Sequence, residues 1–376
     1  AVRFEPGVRW DKLQDELRKH GLRASNPLLP HREKSALASV LDREPSLIPK
    51  YEYAEPILTM EIVLPGGGIL RTGSASGPHS IEKTKADLLG TPGTSCMDFY
   101  RLFQGARGTL GVVTWIKMKA ETLPALEKLF FIPCRSLEDA VGPMYAIGRR
   151  KIGNECFALN DHNLAAILAG DGGKKIRDLK KELPAWTVVV SIAAGPRQPE
   201  KRMEYQVEAL QEIAEELGMD LKDDLAGTGS GLLEKLHGPW AGDPYWMHGV
   251  KGSPLDIYFV THLNRAPGCV SSFQRLLEER GLKAGEVGGY VQPLEYGRAC
   301  HVEMSVTLDS ATGAEIESIS REAVGAILKQ GGFFSRLRGP WAPEVLRRSP
   351  TYVDALSKMK GILDPKNIMN PEALCF

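Results

Sequence analysis

Three glycines at strict three-residue spacing, Gly105, Gly108 and Gly111, stand directly before an alternating segment, Val112 to Met118. Glycine at such spacing lets the backbone take positive φ and lets another molecule approach the main chain where no Cβ intervenes. Val113, Trp115 and Lys117 fall on one side of the following segment and Val112, Thr114, Ile116 and Met118 on the other, the period of a half-buried strand. A tight glycine loop feeding a sheet can hold a nucleotide through main-chain amides; the plain alternative is a turn before a strand. Neither the strand–GxGxxG–helix order of a doubly wound dinucleotide site nor the Gly-Lys-Ser/Thr of a phosphate loop is present.

With 376 residues the chain exceeds the roughly 250–300 at which a single core stops growing, so two lobes are expected, changing near Leu123-Pro124. The 47 basic and 47 acidic residues cancel, which removes the electrostatic case for nucleic acid or an anionic membrane and favours a small-molecule substrate. No apolar run reaches the roughly 18 residues of a membrane helix and no signal peptide is evident, so the expected location is the cytoplasm. Cys96, Cys134, Cys156, Cys269, Cys300 and Cys375 are scattered without a CxxC pair and read as free thiols, not as zinc or iron–sulfur ligands.

The chain opens with a short strand and turn, then a helix over Asp11–His20 whose apolar face carries Leu13 and Leu17 and which Gly21 ends. A turn at Asn26 precedes a helix over Ser35–Leu41; the basic cluster His31, Arg32 and Lys34 there faces either solvent or a cofactor's phosphates. Ile57–Leu64 and Gly68–Thr72 flank Pro65-Gly-Gly-Gly68 as a hairpin. Beyond Pro124, strands over 128–133, 156–159, 186–193, 256–264, 287–293 and 299–308 are interspersed with helices over 136–149, 163–169, 200–217, 270–280 and 311–329. Ser136 stands at an N-cap, and Met203, Val207, Leu210, Ile213, Ala214 and Leu217 make one apolar stripe. The period-2 strands predict an α+β fold with an antiparallel sheet flanked by helices.

Gly105-Ala-Arg-Gly-Thr-Leu-Gly-Val-Val-Thr114 resembles a segment of the FAD-dependent oxidoreductases of the vanillyl-alcohol oxidase / p-cresol methylhydroxylase family, Gly-Ser-x-Gly-Thr-Leu-Gly-Ile/Val-x-Thr, which runs along the FAD dinucleotide. Leu363-Asp-Pro-Lys-Asn-Ile-Met-Asn-Pro371 is similar to that family's terminal Asp-Pro-x-Gly-Ile-Leu-Asn-Pro. The opening strand, helix and Gly-Leu, and the hairpin through Arg71-Thr-Gly73, resemble further units of the same family. The resemblance implies FAD as cofactor, with Gly105, Gly108, Thr109, Gly111, Val112, Val113 and Asn370 as cofactor-binding residues. It also implies three parts: 1–123 as the second half of an FAD-binding domain, 124–330 as an α+β substrate or cap domain, and 331–376 returning to the FAD domain. Family members place ahead of the opening unit a lobe that grips the pyrophosphate. With that lobe missing, the chain by itself is expected to hold FAD poorly until the lobe is supplied in cis or in trans. The family's Gly-Gly pair near the flavin is also absent from residues 26–53.

Candidate chemistry gathers on the late strands. His301, Glu303 and Ser305 share one face of 299–308, while Cys300, Val302, Met304 and Val306 share the other. The polar face looks either onto solvent or into a cleft. In a cleft, His301 is the base that takes a hydroxyl proton while hydride leaves for the flavin, Glu303 orients it, and Tyr290 and Gln292 on the neighbouring strand hydrogen-bond the substrate. The loop 237–251, with Tyr245, Trp246 and His248, suits an apolar pocket with a few orienting tips, and packing is the alternative. Arg336 matches the arginine of the family's Tyr-Arg pair, which stabilises a phenolate, whereas Ser335 replaces the tyrosine. That departure disfavours a para-phenol and leaves a guanidinium suited to a carboxylate or to reduced flavin, or to a surface salt bridge. No metal is expected, and no residue stands out for covalent flavin attachment. The function expected is oxidation of an alcohol or hydroxy acid by hydride transfer to FAD, with electrons passing to a protein carrier or quinone. The alternative is a non-catalytic or FAD-poor subunit that binds a protein partner. A homo-oligomer or a companion subunit is compatible with either.

Overall fold

The computed structural model describes all residues except 48–55, 78–80, 92, 94–98, 171–172, 226–228, 244, 249–252, 282–286, 309–311, 338, 372 and 375–376. Cys96, Cys375, the expected helix start at Ala311 and the end of the aromatic loop lie outside the described residues.

The first part of the chain supplies β1 (Val2–Phe4), β2 (Leu22–Arg23), β3 (Ile57–Val63), β4 (Ile69–Arg71), β5 (Val112–Met118) and β6 (Glu121–Thr122). An antiparallel sheet runs β1-β5-β3-β4, and β2 and β6 make a two-stranded ribbon. The strand that leaves the glycine loop is therefore internal and pairs with the first hairpin strand, Ile116 opposite Met60. One face is closed by the helix Trp10–Lys19, which buries Trp10, Leu13, Gln14 and Leu17, one stripe at helical spacing. The opposite face was expected to be half open and is not. Lys117 is 4% exposed and donates to the Asp87 carbonyl at 2.6 Å, and Arg3 lies over Trp115 at 5.0 Å. An internal strand has neighbours on both edges, and here Ala75, Ile81 and Asp87 cover its second face as well.

The rest supplies β7 (Leu126–Cys134), β8 (Glu155–Asn160), β9 (Trp186–Ala194), β10 (Ser253–Thr261), β11 (Gly288–Leu294) and β12 (Ala299–Leu308), in the antiparallel order β10-β12-β11-β8-β9-β7. Cys300, Val302, Met304 and Val306 pack with the helices Leu137–Arg150, Pro199–Glu216, Ala266–Glu279 and Gly313–Lys329 on one face. Ser136 caps the first of these, accepting from the Asp139 amide at 3.2 Å, and Thr312 with Glu315 forms a capping box on the last. The other face packs on Leu28, Leu29 and Leu47 from the first part and on Trp240 and Trp246 from the aromatic loop. The fold is α+β, as expected. Leu217, assigned to the apolar stripe, is 43% exposed because the helix ends at Glu216 and the chain turns away. The helices Gly173–Glu182 and Gly229–Leu236 were not anticipated; each is short and packs on the core through few apolar side chains, including Ile176 with Leu179 and Leu232 with Leu236. Among the described residues no helix is long and apolar enough to cross a membrane.

Candidate functional site

Strand register builds rows of side chains on the sheet face away from the helices. Tyr258, Glu303 and Tyr290 stand side by side across β10, β12 and β11, and Val260, His301 and Gln292 make the next row. His301 is 3% exposed, so the solvent-face alternative is excluded. Its Nε2 lies 3.1 Å from Oε2 of Glu303. A carboxylate can only accept, so this contact puts the ring hydrogen on Nε2 and leaves the Nδ1 lone pair free. Burial lowers the His301 pKa, the Glu303 contact opposes this in part, and the ring is neutral at pH 7. Burial pushes Glu303 up, but the His301 hydrogen bond and the charges of Arg336 and Lys34 outweigh it and hold the carboxyl ionised.

Phe333 forms a two-bond antiparallel bridge to Val260, which lays the segment after the last sheet helix along β10. Arg336 is thereby stacked on Tyr258, 4.1 Å from its ring centre, with Nη2 3.6 Å from Oε1 of Glu44. Lys34 also donates to Glu44. The Arg336 Nε is buried and has no hydrogen-bond partner. Burial disfavours its charge, yet Glu44 and Glu303 keep its pKa above the ordinary value. The surface-salt-bridge alternative fails on burial alone, since its side chain is 10% exposed.

The other nominated side chains divide by how their polar atoms are used. Tyr290 donates to Oε1 of Gln292 at 3.0 Å, and the Gln292 amide donates to the Cys156 and Pro293 carbonyls. Gln292 is fully buried and engaged inside the sheet, so it orients Tyr290 instead of meeting substrate as the sequence suggested. Tyr245 Oη and Trp246 Nε1 both donate to the Leu29 carbonyl, pinning the aromatic loop to the first part of the chain. His248 lies 3.0 Å from Asp256, and that hydrogen bond raises its pKa.

Three adjacent cavities share wall residues along this surface. An inner one of about 770 Å³ lies between the aromatic loop and the Glu303 row, with Tyr245, His248, Tyr290 and Arg336 on its walls. A middle one of about 680 Å³ shares Pro27, Glu44, Pro45 and Arg336 with it and reaches His301 and Trp10. An outer one of about 760 Å³ shares Arg43, Gln104 and Ser335 with the middle one and ends on Gly105 and Thr109.

The glycine loop is held from behind by the C-terminal motif. Buried Lys360 donates to the Thr109 carbonyl at 2.7 Å, to Asp364 at 2.5 Å and to the Met369 carbonyl at 2.7 Å. Asp364 in turn accepts the amides of Ile368 and Met369, and Asn370 donates to the Arg107 carbonyl at 2.6 Å. The two sequence motifs are thus one structural unit. Gly105 and Gly108 each have φ of 74° with open space where a Cβ would point. Gly111 differs: a Cβ there would lie 2.7 Å from Ile62 and 2.8 Å from the Val63 carbonyl, so packing on β3 requires that glycine. Thr109 is buried, its hydroxyl donating to Ala106; Val113 is half-buried, and Val112 is 54% exposed. Sequence reasoning missed Arg43, Gln104, Glu44, Tyr258 and Lys360. Only Lys360 left a trace, as the i,i+4 partner of Asp364.

No protein-family model matches the sequence, and no curated protein does. Solved structures match over nearly the whole chain. 4-Ethylphenol oxidase from Gulosibacter chungangensis, in complex with isoeugenol, superposes with a TM-score of 0.80 at 18% identity, over 99% of this chain and 75% of that one. p-Cresol methylhydroxylase with substrate bound gives 0.80 at 17% identity over the same shares. Alkyldihydroxyacetonephosphate synthase gives 0.65 at 13%, over 99% of this chain and 64% of that one. At such identities the likeness is one of fold, and it is the fold that the two motifs imply.

Proposed function

We propose that the chain is a flavin-dependent oxidoreductase that holds FAD along the outer and middle cavities and oxidises an alcohol or hydroxy acid where the inner cavity adjoins the His301 wall of the middle one. The observation that carries this reading is the pair of adjacent cavities, sharing Arg43 and Gln104 in their walls, that reach from the glycine loop to a buried neutral histidine beside a carboxylate. The unsatisfied polar groups fit a dinucleotide. Ser25 Oγ, Arg43 Nε, Gln104 Oε1 and Arg336 Nε all line the middle cavity, are buried, and have no hydrogen-bond partner, as expected of groups that a bound molecule satisfies. Gly105 and Thr109 would face it directly; Gly108, Gly111, Val112, Val113 and Asn370 shape or support that loop. Bound FAD supplies the hydride acceptor.

The chain's own residues then have defined tasks. His301 takes the substrate hydroxyl proton at Nδ1, and Glu303 fixes the tautomer that makes this atom basic. Tyr290, its hydrogen committed to Gln292, offers the substrate an oxygen acceptor. Arg336 binds an anionic end of the substrate, its guanidinium held flat by Tyr258. Tyr245 and Trp246 close the inner cavity against water. Electrons leave through a protein carrier or quinone, and residues 1–123 and 331–376 serve the cofactor while 124–330 serve the substrate.

The test is anaerobic bleaching of FAD-loaded protein by a panel of alcohols and hydroxy acids. His301→Asn should bind flavin normally and slow bleaching by about 100- to 10,000-fold. Protein that is saturated with FAD yet bleached by no member of the panel would refute oxidation of this substrate class. Protein that stays colourless after incubation with FAD even when the pyrophosphate-gripping lobe is supplied in cis or in trans would favour the protein-binding alternative.

A further inference from the structure

We infer that Glu127, Glu155 and His237 form a binding site for a divalent cation of the zinc class, apart from the candidate active site and independent of the flavin reading.

Glu127 on β7 and Glu155 on β8 share the parity of Leu129 and Phe157, so both stand on the sheet face that packs on the first part of the chain. His237 follows the helix Gly229–Leu236 and begins the aromatic loop. One ring nitrogen of His237 and one oxygen of each glutamate lie within 4.8 Å of one another. Nε2 is 3.1 Å from Oε2 of Glu127, and Nδ1 is 3.9 Å from Oε1 of Glu155. In a tetrahedral zinc site with bonds of about 2.1 Å the ligand atoms stand about 3.4 Å apart, a spacing that these distances bracket. Imidazole with carboxylate is a mixed set that suits zinc, whereas magnesium and calcium take oxygen ligands.

A plain ion-pair network accounts for Glu127 and not for Glu155. Glu127 accepts from Arg23 and from Ser191 Oγ. Ser191 faces Glu155 across the β8–β9 ladder, yet its hydrogen goes to Glu127. Glu155 is 4% exposed, and its Oε2 is buried without a hydrogen-bond partner. Such an oxygen is costly to bury, and a coordinated cation removes that cost. Arg23 offsets one of the two carboxylates, which leaves a place for further positive charge. A cavity of about 580 Å³, with Gln14, Arg18 and Arg23 in its wall, reaches Glu127 and His237 and gives a cation entry and room for a water as fourth ligand. It shares no wall residue with the three cavities of the candidate active site. Sequence spacing could not reveal the site, because its ligands come from two strands and a loop far apart along the chain. A cation held there staples the start of the aromatic loop to the sheet.

The test strips the full chain with EDTA and titrates it with Zn²⁺ by calorimetry, beside Glu155→Gln and His237→Asn. The wild type should bind one equivalent. Each variant should weaken binding by at least about 100-fold, since loss of even a supporting partner costs about 10- to 100-fold. Glu155→Gln keeps the size of the side chain, so it remains informative if His237→Asn does not fold. Saturating Zn²⁺ should raise the melting temperature of the wild type and not that of Glu155→Gln, a difference that a purely structural glutamate does not produce. Co²⁺ in place of Zn²⁺ should give visible d–d bands without the thiolate charge-transfer band that capture by a cysteine brings. No binding by the wild type, unchanged binding in Glu155→Gln, or a thiolate band overturns the assignment.

Discussion

Glu127 on β7 ties the six-stranded sheet to the β2–β6 ribbon through a buried charge cluster. It accepts Nη1 of Arg23 on both oxygens, at 3.0 and 2.8 Å, Ser191 Oγ at 2.9 Å, and lies 3.1 Å from His237 Nε2. The Glu127 and Arg23 side chains are each 10% exposed. Burial pushes the carboxyl up, but the His237 hydrogen bond and the Arg23 charge outweigh it and bring the pKa down to about 2 from the ordinary 4.5. That difference corresponds to about 3 kcal/mol of stability at neutral pH. Because the folded value is depressed, the contribution is complete above pH ~4.5 and is lost as pH falls toward 2. Urea unfolding of Glu127→Gln is therefore expected to show a loss of about 3 kcal/mol at pH 7, narrowing to roughly 1.4 kcal/mol at pH ~3. Adding Arg23→Met should recover part of the loss, since it removes the uncompensated buried guanidinium. A gap below about 1 kcal/mol at pH 7, or one that does not narrow on acidification, refutes the reasoning.

Three further outcomes follow from particular contacts. Glu155, whose Oε2 is buried without a partner, has its pKa raised by burial, so the fold prefers its protonated form and stability declines as pH rises above the ordinary carboxyl range. Glu155→Gln should match or exceed wild type at pH 7 and flatten that decline, and a loss above about 1 kcal/mol would show that the pairing of its Oε1 with His237 Nδ1, 3.9 Å away, outweighs burial. Gly111→Ala should cost about 1–3 kcal/mol through the clash with β3, and Gly108→Ala, strained but in open space, only about 1 kcal/mol; equal melting temperatures for the two would contradict this. Cys134, Cys156, Cys269 and Cys300 are buried free thiols whose pKa values burial raises, to about 12 for Cys134 and Cys156. Of the 6 cysteines, no more than two should therefore react with a thiol reagent before unfolding, and prompt reaction of a third would show a more open sheet.

What the sequence determined by itself was whatever depends on neighbours along the chain. Period-2 alternation located β5 and β12 to the residue and put His301, Glu303 and Ser305 on one face, because successive side chains of a strand must alternate whatever surrounds it. Caps declared themselves at Ser136 for the same reason, a side chain reaching its own helix three residues on. What a face looks onto is not a local property. Lys117 read only as part of a half-buried strand and is buried against the Asp87 carbonyl, and His301 read equally well as surface or cleft until burial excluded the surface. Gln292 stood on the right strand, yet only the approach of β8 showed that its amide is engaged by Cys156. Arg43 carried no signal, because its meaning lies in two cavities built by segments as distant as Gln104 and Ser335. The C-terminal motif was visible as a pattern, but that Lys360 carries it to the Thr109 carbonyl, 251 residues away in sequence, was settled by folding alone. Burial removes water from that contact and makes the lysine and its carbonyl acceptors depend on one another.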